Sequence, residues 1–162
     1  MGAQDDSPQP RPPEIADLVV ICRALNAASA RYIIVGGFAV NLHGYTRGTM
    51  DIDLLIDASP ENVRKVKSAL SVLPDNAAAE VEDEDVRTHS VVRVADEVVV
   101  DLMAKACGVD IDEALKHVLH QTIDGVPIPY PAAATLIATK NTVRPKDQQD
   151  VMFLKMKLSE GS

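Results

Sequence analysis

The stretch TMDIDLLID, residues 49–57, sets the tightest condition on how this chain can fold. Its apolar residues read as a buried β-strand over residues 50–56, yet it carries two carboxylates, Asp51 and Asp53. Residues i and i+2 of a strand point to one face. Asp51 and Asp53 therefore share a face, while Ile52 and Leu54 enter the core on the other. Two half-buried carboxylates side by side repel and lose hydration, which is costly unless a cation sits between them. Magnesium suits such a pair, because it is hard, prefers oxygen ligands and is often held by one or two carboxylates with substrate phosphate. Acidic pairs at strand ends are more often simply solvated, so the pair needs support from elsewhere in the chain.

Two features supply that support. Upstream, the β-branched run Tyr32-Ile33-Ile34-Val35 meets Gly36-Gly37 and then a helical segment, residues 38–43, stopped by Gly44. A turn of this kind offers bare backbone N–H groups and a helix N-terminus to an anion. Downstream, VVVDLM places a third carboxylate, Asp101, in an otherwise apolar strand. Asp101 reads either as a hydrogen-bonded strand end or as the third ligand of a metal pair. Three carboxylates and a phosphate cradle are the parts needed for two-metal phosphoryl transfer. The later Asp-Ile-Asp, in VDIDEAL, has a local explanation: Asp110 caps a helix with Glu113 three residues on as its capping-box partner.

The remaining elements follow from spacing. Ile15, Leu18, Val19, Cys22 and Leu25 keep a helical period over residues 14–30. Ser59-Pro60-Glu61 is a helix start: an N-cap, proline at the first position, then an acid. Val63, Val66, Leu70 and Leu73 line that helix. Residues 75–85 are acid-rich and read as a loop, with 80–85 solvated. Residues 89–94 and 97–103 form a hairpin turning near Ala95-Asp96, and residues 122–130 a second one around Asp124-Gly125. A short helix begins at Asp110, and two more, residues 132–141 and 146–158, close the chain. This order implies an α+β (α/β) fold, a mixed sheet flanked by helices. The Pro-rich residues 1–13 read as a disordered tail and residues 14–160 as one domain.

Composition excludes some classes. With 162 residues, a net charge of −8 and 3% aromatics, the chain lacks both a general basic surface and a base-stacking platform for nucleic acid. Its two cysteines, Cys22 and Cys107, lie among apolar residues and read as reduced, buried thiols of a cytoplasmic protein. No signal peptide or membrane-spanning run is visible.

The motif VGGFAVNLHGYTRGTMDIDLLID resembles the nucleotidyltransferase superfamily with the DNA polymerase β-like fold. Within it, the pattern is similar to the bacterial branch of AbiE-type toxin nucleotidyltransferases and their small relatives. That branch shows Gly-Gly-x-Ala, a Gly, then Arg-x-Thr-x-Asp-x-Asp, met here by Gly36, Gly37, Ala39, Gly44, Arg47, Thr49, Asp51 and Asp53. Its C-terminal Lys, Arg and Lys-Asp-x-x-Asp correspond to Lys140, Arg144, Lys146, Asp147 and Asp150. The similarity covers residues 32–158. It does not extend to the helical domain by which larger relatives select substrate.

The resemblance implies magnesium-dependent transfer of a nucleoside monophosphate from an NTP such as ATP to an acceptor, releasing pyrophosphate. Asp51 and Asp53 would hold two Mg2+ ions, with Mn2+ as a substitute. Asp101 would hold one of them and help activate the acceptor hydroxyl. Gly36 and Gly37 would approach the triphosphate, and Arg47 or Thr49 would support the phosphates or the Asp pair. Lys140 and Arg144 read either as a basic helix end complementing the dipole or as phosphate ligands. Asp147 or Asp150 reads as structural, as a partner of Arg144. His43 and His89 read as non-catalytic.

The acceptor stays open between RNA, a protein and a small molecule. An acidic surface suits a cationic antibiotic, as in small drug-modifying enzymes of this core. A tRNA would need a basic patch, for which residues 140–157 are the source. The alternative to an enzyme is a non-catalytic module with a cognate toxin or antitoxin partner.

Overall fold

The computed structural model describes residues 9–160. Most of the expected tail lies outside that range. Within it, Arg11 pairs with Asp17 at 2.6 Å, and its backbone N–H donates to the Glu97 carbonyl at 2.9 Å.

A four-stranded mixed sheet organises the fold, in the order β1 (Tyr32–Val35), β2 (Ile52–Ile56), β4 (Val99–Met103), β3 (Val92–Ala95). β1 runs antiparallel to β2, β2 parallel to β4, and β3 antiparallel to β4. The β1–β2 connection carries α2 (Gly36–Leu42). The parallel β2–β4 crossover carries α3 (Pro60–Leu70), a 3-10 turn (Ala77–Glu80), α4 (Asp85–Thr88) and β3. α3 begins as expected: Pro60 occupies the first turn, and the Ser59 hydroxyl accepts from the Asn62 N–H at 3.3 Å.

The sheet's two faces have different fates, set by the period of two. Tyr32, Ile34, Ile52, Leu54, Ile56, Val94, Val100 and Leu102 face the main core, packed with α1 (Ile15–Ala27) and α3. Ile33, Val35 and Leu55 face the other way. They meet a small second core built by Val109, Ile111 and Ala114. These come from the two-residue ladder β5 (Lys105–Ala106) and β6 (Val109–Asp110), and from α5 (Ile111–Leu115). Asp53, Asp101 and Arg93 lie on this second face, beyond the part that α5 covers. The carboxylates thus sit on the stretch of this face that borders a cavity.

A separate hairpin, β7 (Val118–Ile123) and β8 (Val126–Pro131), packs against β1 and α1. Asp124 and Gly125 both adopt positive φ, 51° and 78°, as its two-residue turn requires. Helices α6 (Ala133–Ala138) and α7 (Pro145–Glu160) close the fold against each other.

Three local differences have physical causes. Gly36 and Gly37 open helix α2 rather than preceding it; Gly36 has φ +70°, so the strand turns into the helix within one residue. The Asp110 carboxylate accepts the Glu113 N–H at 2.9 Å, but the Glu113 carboxylate bonds Lys116 at 2.8 Å instead of closing a capping box. Cys22 is buried as expected, whereas Cys107 is exposed, because it occupies the tight β5–β6 turn at φ 48°.

Candidate active site

The site starts from strand register. Asp53 on β2 is the partner of Asp101 on β4, and Asp101 is in turn the partner of Arg93 on β3. Asp51 precedes β2 by one residue and shares the face of Asp53. Asp51, Asp53 and Asp101 each contribute an oxygen to a cluster lying within 4.8 Å. They open into a cavity of about 770 Å3, which Gly36, Gly37, Arg47, Thr49, Lys140 and Arg144 also line. All nine site residues read from the sequence therefore meet at one place.

What holds them there differs from residue to residue. A Cβ on Gly36 would collide with the Asp53 carboxylate. A Cβ on Gly37 would come within 2.6 Å of the Thr49 Oγ1. The glycine pair is thus explained by close approach of the chain's own side chains. Thr49 Oγ1 donates to the Asp51 carbonyl at 3.0 Å and supports the backbone of the acidic pair.

The basic residues form a network with α7. Arg47 donates from Nε and Nη2 to the two oxygens of Asp150, at 2.8 and 2.6 Å. Lys140 Nζ lies 2.9 Å from Asp150 Oδ2 and 3.6 Å from Asp147 Oδ1. Arg144 Nε donates to Asp147 Oδ2 at 2.8 Å. Of the two acids expected as a partner for Arg144, Asp147 is the one that pairs with it, while Asp150, fully buried, takes Arg47 and Lys140. A buried carboxylate without counter-ions would be strongly penalised, and here it has two. Arg144 keeps 76% of its side chain exposed and stands at the cavity wall.

The carboxylates feel one another. Burial, then the charges of Asp51 and Asp101, push Asp53 up to about 7, with Lys140 pulling it back. Burial and Asp101 raise Asp51 too, against the pull of Arg93. A group of acids that resists full ionisation is a group that a cation would stabilise. The donor set is all oxygen, which matches a hard divalent ion. The residues present therefore fit a site for a hard divalent cation.

Arg93 is the residue that sequence reasoning missed. Its Nε and Nη2 donate to the two oxygens of Asp101, both at 2.9 Å, and Nη2 lies 3.3 Å from Asp51. The signal was present in the hairpin register. The β3–β4 turn centres on Glu97, one residue beyond the expected turn, and this sets Arg93 opposite Asp101. Asp96 was missed as well. Its carboxylate accepts the N–H groups of Asp75, Ala77 and Glu97 at 2.7–3.0 Å and organises the acid-rich loop.

The two histidines are occupied structurally. His43 Nε2 lies 2.8 Å from the Pro131 carbonyl, and Lys157 Nζ lies 3.2 Å from its Nδ1. His89 bonds within its own turn, to the Asp85 carbonyl.

The fold has a solved counterpart. The structure of a protein from Thermotoga maritima described as a "putative nucleotidyltransferase" aligns over 90% of this chain and 92% of its own, with a TM-score of 0.54 and 14% identity. The shared architecture is a mixed sheet flanked by helices, the α+β class expected. No protein-family profile matches the chain, and no curated protein does. Among the described residues no helix is long and apolar enough to cross a membrane.

Proposed function

We propose that this protein is a magnesium-dependent nucleotidyltransferase, moving a nucleoside monophosphate from an NTP such as ATP to an acceptor hydroxyl. The observation that carries the reading is the convergence of Asp51, Asp53 and Asp101 in one cavity that Gly36 and Gly37 also line. Residues 14–160 act as a single catalytic domain of the AbiE-type branch, working in the cytoplasm.

Asp51 and Asp53 would hold two Mg2+ ions, or Mn2+, and Asp101 one of them. When bound, the metal supplies charge neutralisation and polarises the phosphoryl oxygens. The acceptor oxygen attacks the α-phosphorus, its proton passes to Asp101, and pyrophosphate leaves. Arg144, exposed at the cavity wall, contacts the phosphates. Lys140 acts at one remove, as a fixed positive charge that lowers the pKa of Asp53. Arg47 and Thr49 position the motif: Arg47 ties it to α7, and Thr49 holds the Asp51 backbone.

The test is calorimetric titration of each of the four NTPs with and without magnesium, beside an Asp51→Ala/Asp53→Ala double variant. We expect binding that needs both the metal and the carboxylates. No NTP binding by the wild type would overturn the enzyme reading in favour of a partner-dependent module of a toxin–antitoxin pair. The acceptor is then sought among RNA, proteins and cationic small molecules.

A further inference from the structure

The Arg93 guanidinium spans Asp101 in a two-point fork and reaches Asp51 with the same Nη2. A fork of this kind is the strongest geometry available between arginine and a carboxylate. It engages both oxygens of a side chain that is only 7% exposed. Arg93 itself is 61% exposed and lines the cavity, on edge strand β3. Its charge is therefore held at the carboxylates chiefly by hydrogen bonds, on a side chain that is mostly open to solvent.

A divalent cation brought to the same carboxylates would face that guanidinium. Two cations on one set of oxygens repel, and the protein-bound one is free to swing away. From the cavity wall it would meet whatever polyanion enters. Resting on the nucleotidyltransferase reading above, we propose that Arg93 is a positioning residue that exchanges partners. It holds Asp101 and Asp51 in place before the metal loads, releases them to the metal, and passes its charge to the polyphosphate of the nucleotide. Asp101 and Asp51 are thus kept ordered and partly neutralised at every stage, which tempers their mutual repulsion in the metal-free protein.

The exchange has a signature that a purely structural arginine would not give. Arg93→Gln should bind Mn2+ alone more tightly than the wild type, by about tenfold, because a competing positive charge is gone. The same variant should bind ATP in the presence of saturating Mn2+ about tenfold more weakly, because a charge-assisted hydrogen bond to phosphate is lost. Both constants are read by calorimetry at pH 8, after thermal melting confirms that the variant is folded. Arg93→Lys keeps the charge and is the variant to use if Arg93→Gln does not fold; its Mn2+ affinity should stay within about threefold of the wild type. Mn2+ affinity unchanged or lowered in Arg93→Gln, or changed tenfold in Arg93→Lys, overturns the displacement. ATP affinity unchanged in Arg93→Gln overturns the hand-over to phosphate. Absence of Mn2+ binding in every protein, wild type included, overturns the metal reading itself and the exchange with it.

Discussion

Asp53 and Asp101 are direct register partners on the parallel strands β2 and β4, so two carboxylates that are 48 positions apart in the chain face one another across one ladder step. A parallel pair of this kind needs a long crossover, here α3 to β3, to bring the second strand back in the same direction. The acidic cluster is therefore a property of the sheet, and small shifts in the backbone around it should be felt directly.

Gly36 is where that sensitivity is greatest. At φ +70°, with the Asp53 carboxylate lying where a Cβ would be, alanine is strained in backbone and blocked in space. Gly36→Ala should lower stability by about 1–3 kcal/mol and displace Asp53. We expect a folded protein with a lowered Tm and metal affinity reduced by more than tenfold, measured by melting and by Mn2+ titration.

Asp53 should also make the metal-free protein weaken as pH rises. Its ordinary value is 3.8, and the fold raises it to about 7. Between those values the folded state holds a proton that the unfolded chain has released, so stability falls as pH climbs through this window. Above about 7 the full penalty is present. Asp53→Asn should flatten this dependence and raise the Tm in EDTA at pH 8 by about 5 °C. Magnesium at pH 8 should stabilise the wild type and have little effect on the variant. Melts at pH 5, 6, 7 and 8 with EDTA or MgCl2 check both expectations.

Asp150 ties the first motif to the last helix. It is fully buried and pairs with both Arg47 and Lys140. Removing one partner of a buried ion pair strands the other, at a cost of about 3–5 kcal/mol. Asp150→Ala should therefore cost about that much in urea unfolding. An Asp150→Asn variant, isosteric and still able to accept one hydrogen bond, should lose less.

The cysteines should differ sharply in reactivity. Burial pushes the Cys22 thiol up to about 12, while Cys107 is exposed at the cavity. One thiol should react with a disulfide reagent in the folded protein and two after denaturation. Mass mapping should assign the first to Cys107, and magnesium with ATP should slow its labelling.

Much of this architecture was legible in short stretches. The period of two put Asp51 and Asp53 on one face and Ile52 and Leu54 in the core, where both are fully buried. The Ser59-Pro60 helix start and the Asp124-Gly125 turn depend on residues within four positions of one another, and the structure has both. The burial of Cys107 was misread because apolar neighbours say nothing about a tight turn at positive φ.

The chain by itself determined which acidic residues are candidates for a metal site and that Asp51 and Asp53 share a face of their strand, because strand and helix periods are local. Only the tertiary structure decided who pairs with whom. Arg47 and Asp150 are 103 positions apart, and Arg93 meets Asp51 across 42. Ion pairs form through space, and a charged side chain's partner is set by how sheet register and helix packing bring distant segments together, which no local pattern encodes.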